Sequence, residues 1–353
     1  MANASENNTM ANMHTLKKLT TLLLLLTSGG IPMISHALFG NSNKFDWLAT
    51  ESAPANYPMK IISGNLRYHD NKDGRGLYVP AGSIVSPGWG NGVSTHITGD
   101  DLKPLPDQLS ITYFSYAENA FYTGKFDLPY DKILKLFKEG SSTRDDPNWY
   151  HYITVGVAPG GAVSVWVSSP SKKIEVFHGQ SEKVEMDLIK VMNLTTKDRE
   201  GYVKGVLVSS IEPDVLEDMQ KNGIPFGLWG QYRTQYNWTP VFIDTQPSSN
   251  RIVYSNGEYE DPSLPYDKEF LALTRPVPSF ISFKTIVNMK GEMKPNIFRV
   301  RFNSDEVMEA FEKLGANNVP MQLEFEPTYP RPLTQIRLRN SKDVIVLKKW
   351  VLE

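Results

Sequence analysis

Ser94 and His96 are the first residues a chemist would test, a hydroxyl and an imidazole two positions apart in Pro87-Gly88-Trp89-Gly90-Asn91-Gly92-Val93-Ser94-Thr95-His96. A serine nucleophile needs a base within hydrogen-bond reach and a third group to orient that base. No orienting acid is evident here, and the spacing is common by chance. His69, His151 and His178 are the other imidazoles beyond residue 37. His151 and His178 fall on strand-like runs near the ends of one expected sheet, where they either meet or stand apart as surface groups. A metal site needs two or three converging ligands. Glu258, Glu260, Asp261, Asp267 and Glu269 form an acidic loop. Its spacing matches no calcium loop, which leaves solvated charge, a cation or a basic partner as readings. No GxSxG, HExxH, phosphate-binding loop or EF-hand spacing occurs. The expectation is a protein that is not an enzyme, with no catalytic residue, no metal and no cofactor. A carboxylate-dependent hydrolase stays as an alternative, because a working carboxylate pair is defined by a separation that sequence does not give.

Binding is the better-supported chemistry. Gly88, Gly90 and Gly92 allow backbone conformations closed to other residues, and so a close approach to a ligand. Trp89 at the tip of that loop can stack on a sugar, anchor a protein interface or pack inward. Dinucleotide binding is excluded, since no strand–loop–helix surrounds the glycines. Trp166 is the second candidate. In the run Ala162–Ser168, Val163, Val165 and Val167 take one face, and Trp166 shares the other with Ser164 and Ser168. A solvated sheet face calls for polar residues there, so Trp166 must be covered by a loop, by another part of the chain or by a partner.

The elements that position these residues read as a duplication. Phe126–Gly140 carries a strand end, a short amphipathic helix and a glycine, and Val300–Gly315 repeats that order. Ile133, Leu134 and Phe137 form an apolar stripe that Val307, Met308 and Phe311 repeat. Asp131 and Asp305 favour the positive end of each helix, and Gly140 and Gly315 suit left-handed closing positions. Each helix follows a strand pair (109–116 with 119–126; 280–287 with 294–302) and precedes three strand-like runs (152–157, 162–168, 173–177; 321–325, 334–338, 344–347). Phe45-Asp46-Trp47 pairs more weakly with Tyr236-Asn237-Trp238. The expected fold is therefore α+β: two related halves, each a mainly antiparallel sheet packed on one short amphipathic helix, arising by tandem duplication.

The boundaries expected are a signal peptide over 1–37, a first half over 38–190, a helical connection over 191–235 and a second half over 236–353. Within the connection, Glu212–Asn222 is a helix with Pro213 at its first position and Gly223 past its end, and Phe226–Tyr236 is a further aromatic-rich one. A hairpin joins 59–68 to Leu77-Tyr78-Val79, and Pro159-Gly160 sets a type II turn before Ala162. The terminal run Val344–Leu352 is strand-like throughout.

The 353 residues are 40% hydrophobic and 22% charged, as in a folded rather than a disordered chain. A formal net charge of −2 gives no electrostatic case for nucleic acid. Lys17, Lys18 and the apolar run Leu19–Leu26 lead to Ser35-His36-Ala37, the pattern of an export signal cleaved near Ala37. Met10 or Met13 would serve as its start. The run is short of the roughly 20 residues of a membrane span, though an uncleaved anchor is the alternative. With no cysteine, the chain has no disulfide, no thiolate chemistry and no lipid-modified Cys. The expected location is the periplasm, or outside the cell, with no transmembrane segment after cleavage.

Tyr57-Pro58-Met59, Gly88–Ser94, Lys103-Pro104-Leu105-Pro106, Leu109–Tyr116 and Phe126-Asp127-Leu128-Pro129-Tyr130 resemble the bacterial family catalogued as domain of unknown function 2931, over most of residues 45–240. The resemblance implies an exported or lipid-anchored envelope protein and supplies no active-site residues. Genes of such proteins often stand beside those of type VI secretion effectors, lipases included, which implies an immunity role. This chain lacks the Cys of the lipid-anchored members. The function expected is non-catalytic binding of a protein partner, an effector or envelope protein. The alternative is a glycan or cell-wall module working through Trp89.

Overall fold

The computed structural model describes residues 43–289, 291–327, 333 and 335–353. The expected signal region lies outside them. Besides three two-residue strands, Lys44–Phe45, Ile84–Val85 and Lys103–Pro104, the strands are β1 Leu48–Ser52, β2 Met59–Tyr68, β3 Gly76–Tyr78, β4 Pro106–Ser115, β5 Ala120–Asp127, β6 Tyr152–Val157, β7 Ala162–Ser168, β8 Lys172–Gln180 and β9 Glu182–Val184. They continue as β10 Trp238–Phe242, β11 Ser249–Tyr254, β12 Tyr259–Glu260, β13 Pro278–Met289, β14 Glu292–Phe302, β15 Met321–Glu326, β16 Gln335–Arg339, β17 Val344–Leu347 and β18 Trp350–Leu352. Seven α-helices occur among the described residues. They are α1 Tyr130–Glu139, α2 Leu188–Val191, α3 Arg199–Ser210, α4 Pro213–Asn222, α5 Leu228–Gln231, α6 Lys268–Ala272 and α7 Ser304–Leu314. The fold is α+β and mostly sheet.

Residues 45–353 pack as one unit. In its first part β1 lies parallel to β6, and β7 and β8 follow antiparallel. A second sheet runs β9-β5-β4-β2-β3. The core of Trp47, Ile111, Tyr113, Ile133, Val155 and Val165 lies between these strands and α1. In the later part β10 lies parallel to β15, and β16 and β17 follow antiparallel. A sheet β18-β14-β13-β11-β12 faces them across a core of Trp238, Ile281, Phe283, Phe298 and Phe311. β8 meets β12 edge to edge, so nine strands run through both parts in the order β1-β6-β7-β8-β12-β11-β13-β14-β18.

Each core is closed by a tryptophan held in the same manner. The Trp47 indole donates to the Pro104 carbonyl at 3.2 Å, while buried Lys103 donates to the Trp47 carbonyl at 2.8 Å, its ammonium 5.8 Å from the ring. The Trp238 indole donates to the Pro276 carbonyl at 3.1 Å; buried Arg275 donates to the Trp238 carbonyl and stands 5.8 Å from that ring. An indole N–H and a strand-end carbonyl both need partners once buried. One cation and one proline carbonyl supply them.

α1 buries Ile133 and Phe137, and α7 buries Val307 and Phe311. Asn303 caps α7 by accepting from Glu306 N–H at 3.0 Å. The closing glycines depart from expectation: Gly140 has φ −73° and Gly315 φ −92°, so neither is left-handed. Space selects them instead. A Cβ at Gly140 would stand 2.7 Å from the Tyr150 ring, and one at Gly315 2.5 Å from the Tyr236 ring.

The helical connection lies on the outer face of β4 and β5, with Leu188, Val203 and Val206 packed on Phe114 and Phe121. α4 starts at Pro213 and stops at Gly223, φ +82°, as the pattern predicts. The helix expected over 226–236 is only α5, and the terminal run divides into β17 and β18, which join different sheets. Pro159 and Gly160 (φ 74°, ψ 8°) make the type II turn between β6 and β7. No helix among the described residues is long and apolar enough to cross a membrane.

Lys103→Met leaves the buried Trp47 carbonyl unpaired and is expected to cost about 1–3 kcal/mol. Trp47→Phe, which orphans the Pro104 carbonyl, is expected to cost as much or more through lost packing. The urea midpoint of unfolding measures both.

Candidate functional site

Trp166 projects from β7 away from the first core and is fully buried. Gly156 on β6 makes room for it, since a Cβ there would stand 2.6 Å from its ring. Two segments cover it. Trp89 packs edge-on with ring centroids 5.0 Å apart, and the turn after β11 accepts its indole N–H at the Asn256 carbonyl, 3.0 Å away. The expected cover is therefore a loop and a later part of the same chain. No partner can touch Trp166 directly.

The glycine loop is shaped by that task. Gly90 (φ +78°) lies on Gly257 (φ +85°), and a Cβ at Gly90 would come 2.7 Å from the Gly257 Cα. Lys173 Nζ donates to the Gly90 carbonyl at 2.5 Å, and Ser52 Oγ to the Gly88 carbonyl at 3.1 Å. Gly88 adopts φ +105°, and a Cβ at Gly92 would meet Thr50 at 2.7 Å. Of the three glycines singled out from the sequence, Gly90 permits backbone-to-backbone packing within the chain, while Gly88 and Gly92 leave room for the Asn91 and Thr50 side chains.

Beside the loop opens a groove of about 510 Å³. Trp89, Tyr57, Trp229, Tyr232 and Phe280 supply its aromatic lining, Arg251 and Arg301 its cations, and Ser255, Ser279 and Ser304 its hydroxyls. Tyr57 meets Trp229 edge-on at 5.5 Å, and the Tyr232 hydroxyl lies 3.1 Å from Ser304 Oγ. Burial pushes both phenols above their ordinary pKa, so they stay protonated donors. Arg251 is committed to Asp261 through two contacts of 2.6 Å, and Arg301 is paired with Glu353. The described lining holds no carboxylate and no imidazole. Such a lining offers ring faces and hydrogen-bonding groups to a ligand. Of these lining residues the sequence reading found Gly88 and Trp89. Trp229 and Tyr232 lay in the stretch read only as an aromatic-rich helix, and Tyr57 precedes a strand with nothing local to mark it.

The other chemical candidates are dispersed. Ser94 Oγ donates to buried Glu51 at 2.6 Å, while His96 Nδ1 lies 2.8 Å from the Tyr78 hydroxyl. His151 stacks on Trp149 and contacts the Asp46 carbonyl at 3.1 Å; His178 is exposed opposite Ser164, toward the other end of β7. Four of the five acidic-loop carboxylates are spent internally, and Glu269 is exposed. Glu258 accepts from Glu175 N–H, Glu260 from the Tyr254 hydroxyl, Asp261 from Arg251, and Asp267 caps α6. No group of three or more metal-ligating side chains converges among the described residues.

One titratable pair lies beneath this junction. Burial pushes the Glu175 carboxyl up to about 7, against the pull of Ser164 and of Arg233, whose Nη1 stands 4.0 Å away. Burial likewise lowers Lys173 to about 8, with Arg251 adding to the effect.

Two outcomes follow for this region. The Trp89 indole N–H is buried without an acceptor among the described residues. Trp89→Phe is therefore expected to change stability by less than about 1 kcal/mol, whereas Trp89→Ala is expected to cost about 3–5 kcal/mol in a chemical denaturation series. Glu175 holds its proton to a higher pH folded than unfolded, so its contribution is full below about 4.5 and is lost as pH rises through about 7. Wild-type stability should fall by on the order of 3 kcal/mol across that window. Glu175→Gln should flatten the fall in unfolding free energy measured from pH 4.5 to 8.

A model of the family described as Protein of unknown function (DUF2931) matches residues 32–227. No curated protein and no solved structure matches the chain. The matched span is more than half of the sequence and takes in the first part of the fold, the Trp89 loop and the helical connection through α4, so the chain belongs to the DUF2931 family.

Proposed function

We propose that this is an exported, non-catalytic protein that binds a protein partner, and that it acts as an immunity protein to a type VI secretion effector such as a lipase. The observation that carries the reading is the junction groove: an aromatic-lined surface of about 510 Å³ with hydroxyls and two arginines, and no carboxylate or imidazole in its described lining. Aromatic and arginine anchors dominate the energetics of protein interfaces. The separation of Ser94 from His96, and of His151 from His178, supports the same reading. Export to the periplasm rests on the pattern of residues 13–37, cleaved near Ala37.

The proposed architecture is a tandem duplication, residues 38–190 and 236–353 joined by 191–235. Its support is the strand order, which in both parts couples a parallel pair followed by two antiparallel strands to a five-strand path, with a helix at the same place in the chain. The paired Trp–Pro–cation locks support it further.

A second reading has its own observation. Rings flanked by hydroxyls also suit a glycan, so a cell-wall component is the alternative ligand of the same groove. Co-production with a type VI effector found encoded beside it, directed to the periplasm, should restore growth. Tyr57→Ala with Tyr232→Ala should lower protection at least tenfold while the protein stays folded. No protection by the wild type and no capture of that effector would sink the immunity reading. A muropeptide titration that shifts wild-type tryptophan emission, and leaves the double variant unmoved, would replace it with the glycan one.

A further inference from the structure

The outer faces of two corresponding strand pairs differ in what covers them. On β4 and β5, Phe114 stands opposite Phe121 with ring centroids 4.7 Å apart. Both are buried because Leu188, Val203 and Val206 of α2 and α3 lie on them. Arg199 fixes α3 there through Asn119 Oδ1 and the Asn119 carbonyl, each at 2.8 Å. On β13 and β14 the same place in the chain is held by Ile286, as far beyond Pro276 as Phe114 is beyond Pro104, and its cross-strand partner is Pro295. Ile297 pairs with Lys284 two rungs away and shares that face, as does Met293 two rungs to the other side. The opposite face carries Phe283 and Phe298 into the second core. Nothing described lies over the outer strip: Ile286 is 56%, Ile297 50% and Met293 66% exposed.

We propose that this strip docks an amphipathic helix of a protein partner, as its counterpart docks α3. The partner's apolar stripe lies on Ile286, Pro295, Ile297 and Met293. Its acidic residues face Lys284 and Arg299, which stand at the Ile297 end of the strip, away from Asp244 beside Ile286 and Met293, and have no ion-pair partner among the described residues. An apolar stripe spaced at i, i+3, i+4 and i+7 fits a strip of this kind, and the surrounding charge sets which helix is accepted. The inference rests on the partner-binding reading and adds a surface separate from the groove.

The probe is a fluorescein-labelled helical peptide of about 18 residues with a leucine stripe and glutamate flanks, titrated into the full chain. Its lysine-flanked counterpart serves as control. The glutamate peptide should bind, and Ile286→Glu or Ile297→Glu should weaken it at least tenfold. Lys284→Glu with Arg299→Glu should reverse the preference between peptides. Ile286 and Ile297 are at least half exposed, so far-UV circular dichroism should be unchanged, and the two single variants check one another. Absence of binding, equal binding to the variants or equal affinity for both peptides would overturn the site. Dimerisation abolished by Ile286→Glu would overturn it in favour of a second copy of this chain. Protection lost while peptide binding persists counts against the immunity reading alone; protection kept while the peptide fails counts against this site alone.

Discussion

The junction of the molecule depends on keeping one indole dry. Trp166 projects from the face of β7 that water would reach in an ordinary antiparallel sheet, and its N–H must find an acceptor there. The acceptor is the Asn256 carbonyl, ninety positions along the chain, so the indole is satisfied only when the turn after β11 is in place. That turn meets Gly90 through Gly257, and the loop so held lays Trp89 on Trp166. The groove is the space left where this cover meets α5 and the later strands.

Edge pairing alone would not hold the two parts together. β8 and β12 share two rungs, Lys172 with Glu260 and Lys173 with Tyr259. A hydrogen bond contributes about 1 kcal/mol net, so two rungs supply about 2–3 kcal/mol. A buried aromatic is worth about 1.5–3 kcal/mol, and the junction buries Trp166 with most of Trp89 and Trp229. The face therefore outweighs the edge. Arg251 donating to the Pro170 carbonyl and Tyr259 to the Ser169 carbonyl add fixed contacts across the same seam. Two cores and this seam explain how a chain without cysteine holds its shape.

Local pattern made much of the fold legible. The stripes Ile133–Phe137 and Val307–Phe311, the Pro213 start and Gly223 stop of α4, and the Pro159-Gly160 turn each depend on residues near one another in sequence. Trp166 was legible as a residue in need of cover because alternation on β7 exposes the anomaly. What covers it was not, since Asn256 and Gly257 carry no local mark of a contact so distant. The glycine loop misled for a related reason. Close approach was readable from Gly88, Gly90 and Gly92, and positive φ from the first two, but whether the approaching surface is a ligand or the chain itself is a tertiary fact. The same holds for Gly140 and Gly315, which a tyrosine ring selects and a cap does not. The groove was the least legible part, because Tyr57, the pair Trp229 and Tyr232, and Arg301 come from three separate segments.

On the proposed duplication, the two parts divide their labour by what they leave uncovered. Both retain the buried tryptophan, the proline carbonyl that accepts from it and the cation on its own carbonyl, since removing any one orphans a buried polar group. Their outer faces are free of that constraint. In the first part Phe114 and Phe121 are apolar because a helix of the same chain lies on them. In the second, Ile286 and Ile297 are apolar with no such cover, with Lys284 and Arg299 at the Ile297 end. Packing accounts for the first pair and not for the second. An apolar strip with two cations at one end is a surface that gains from a partner, and here the same chain already supplies an example of the geometry such a partner would take.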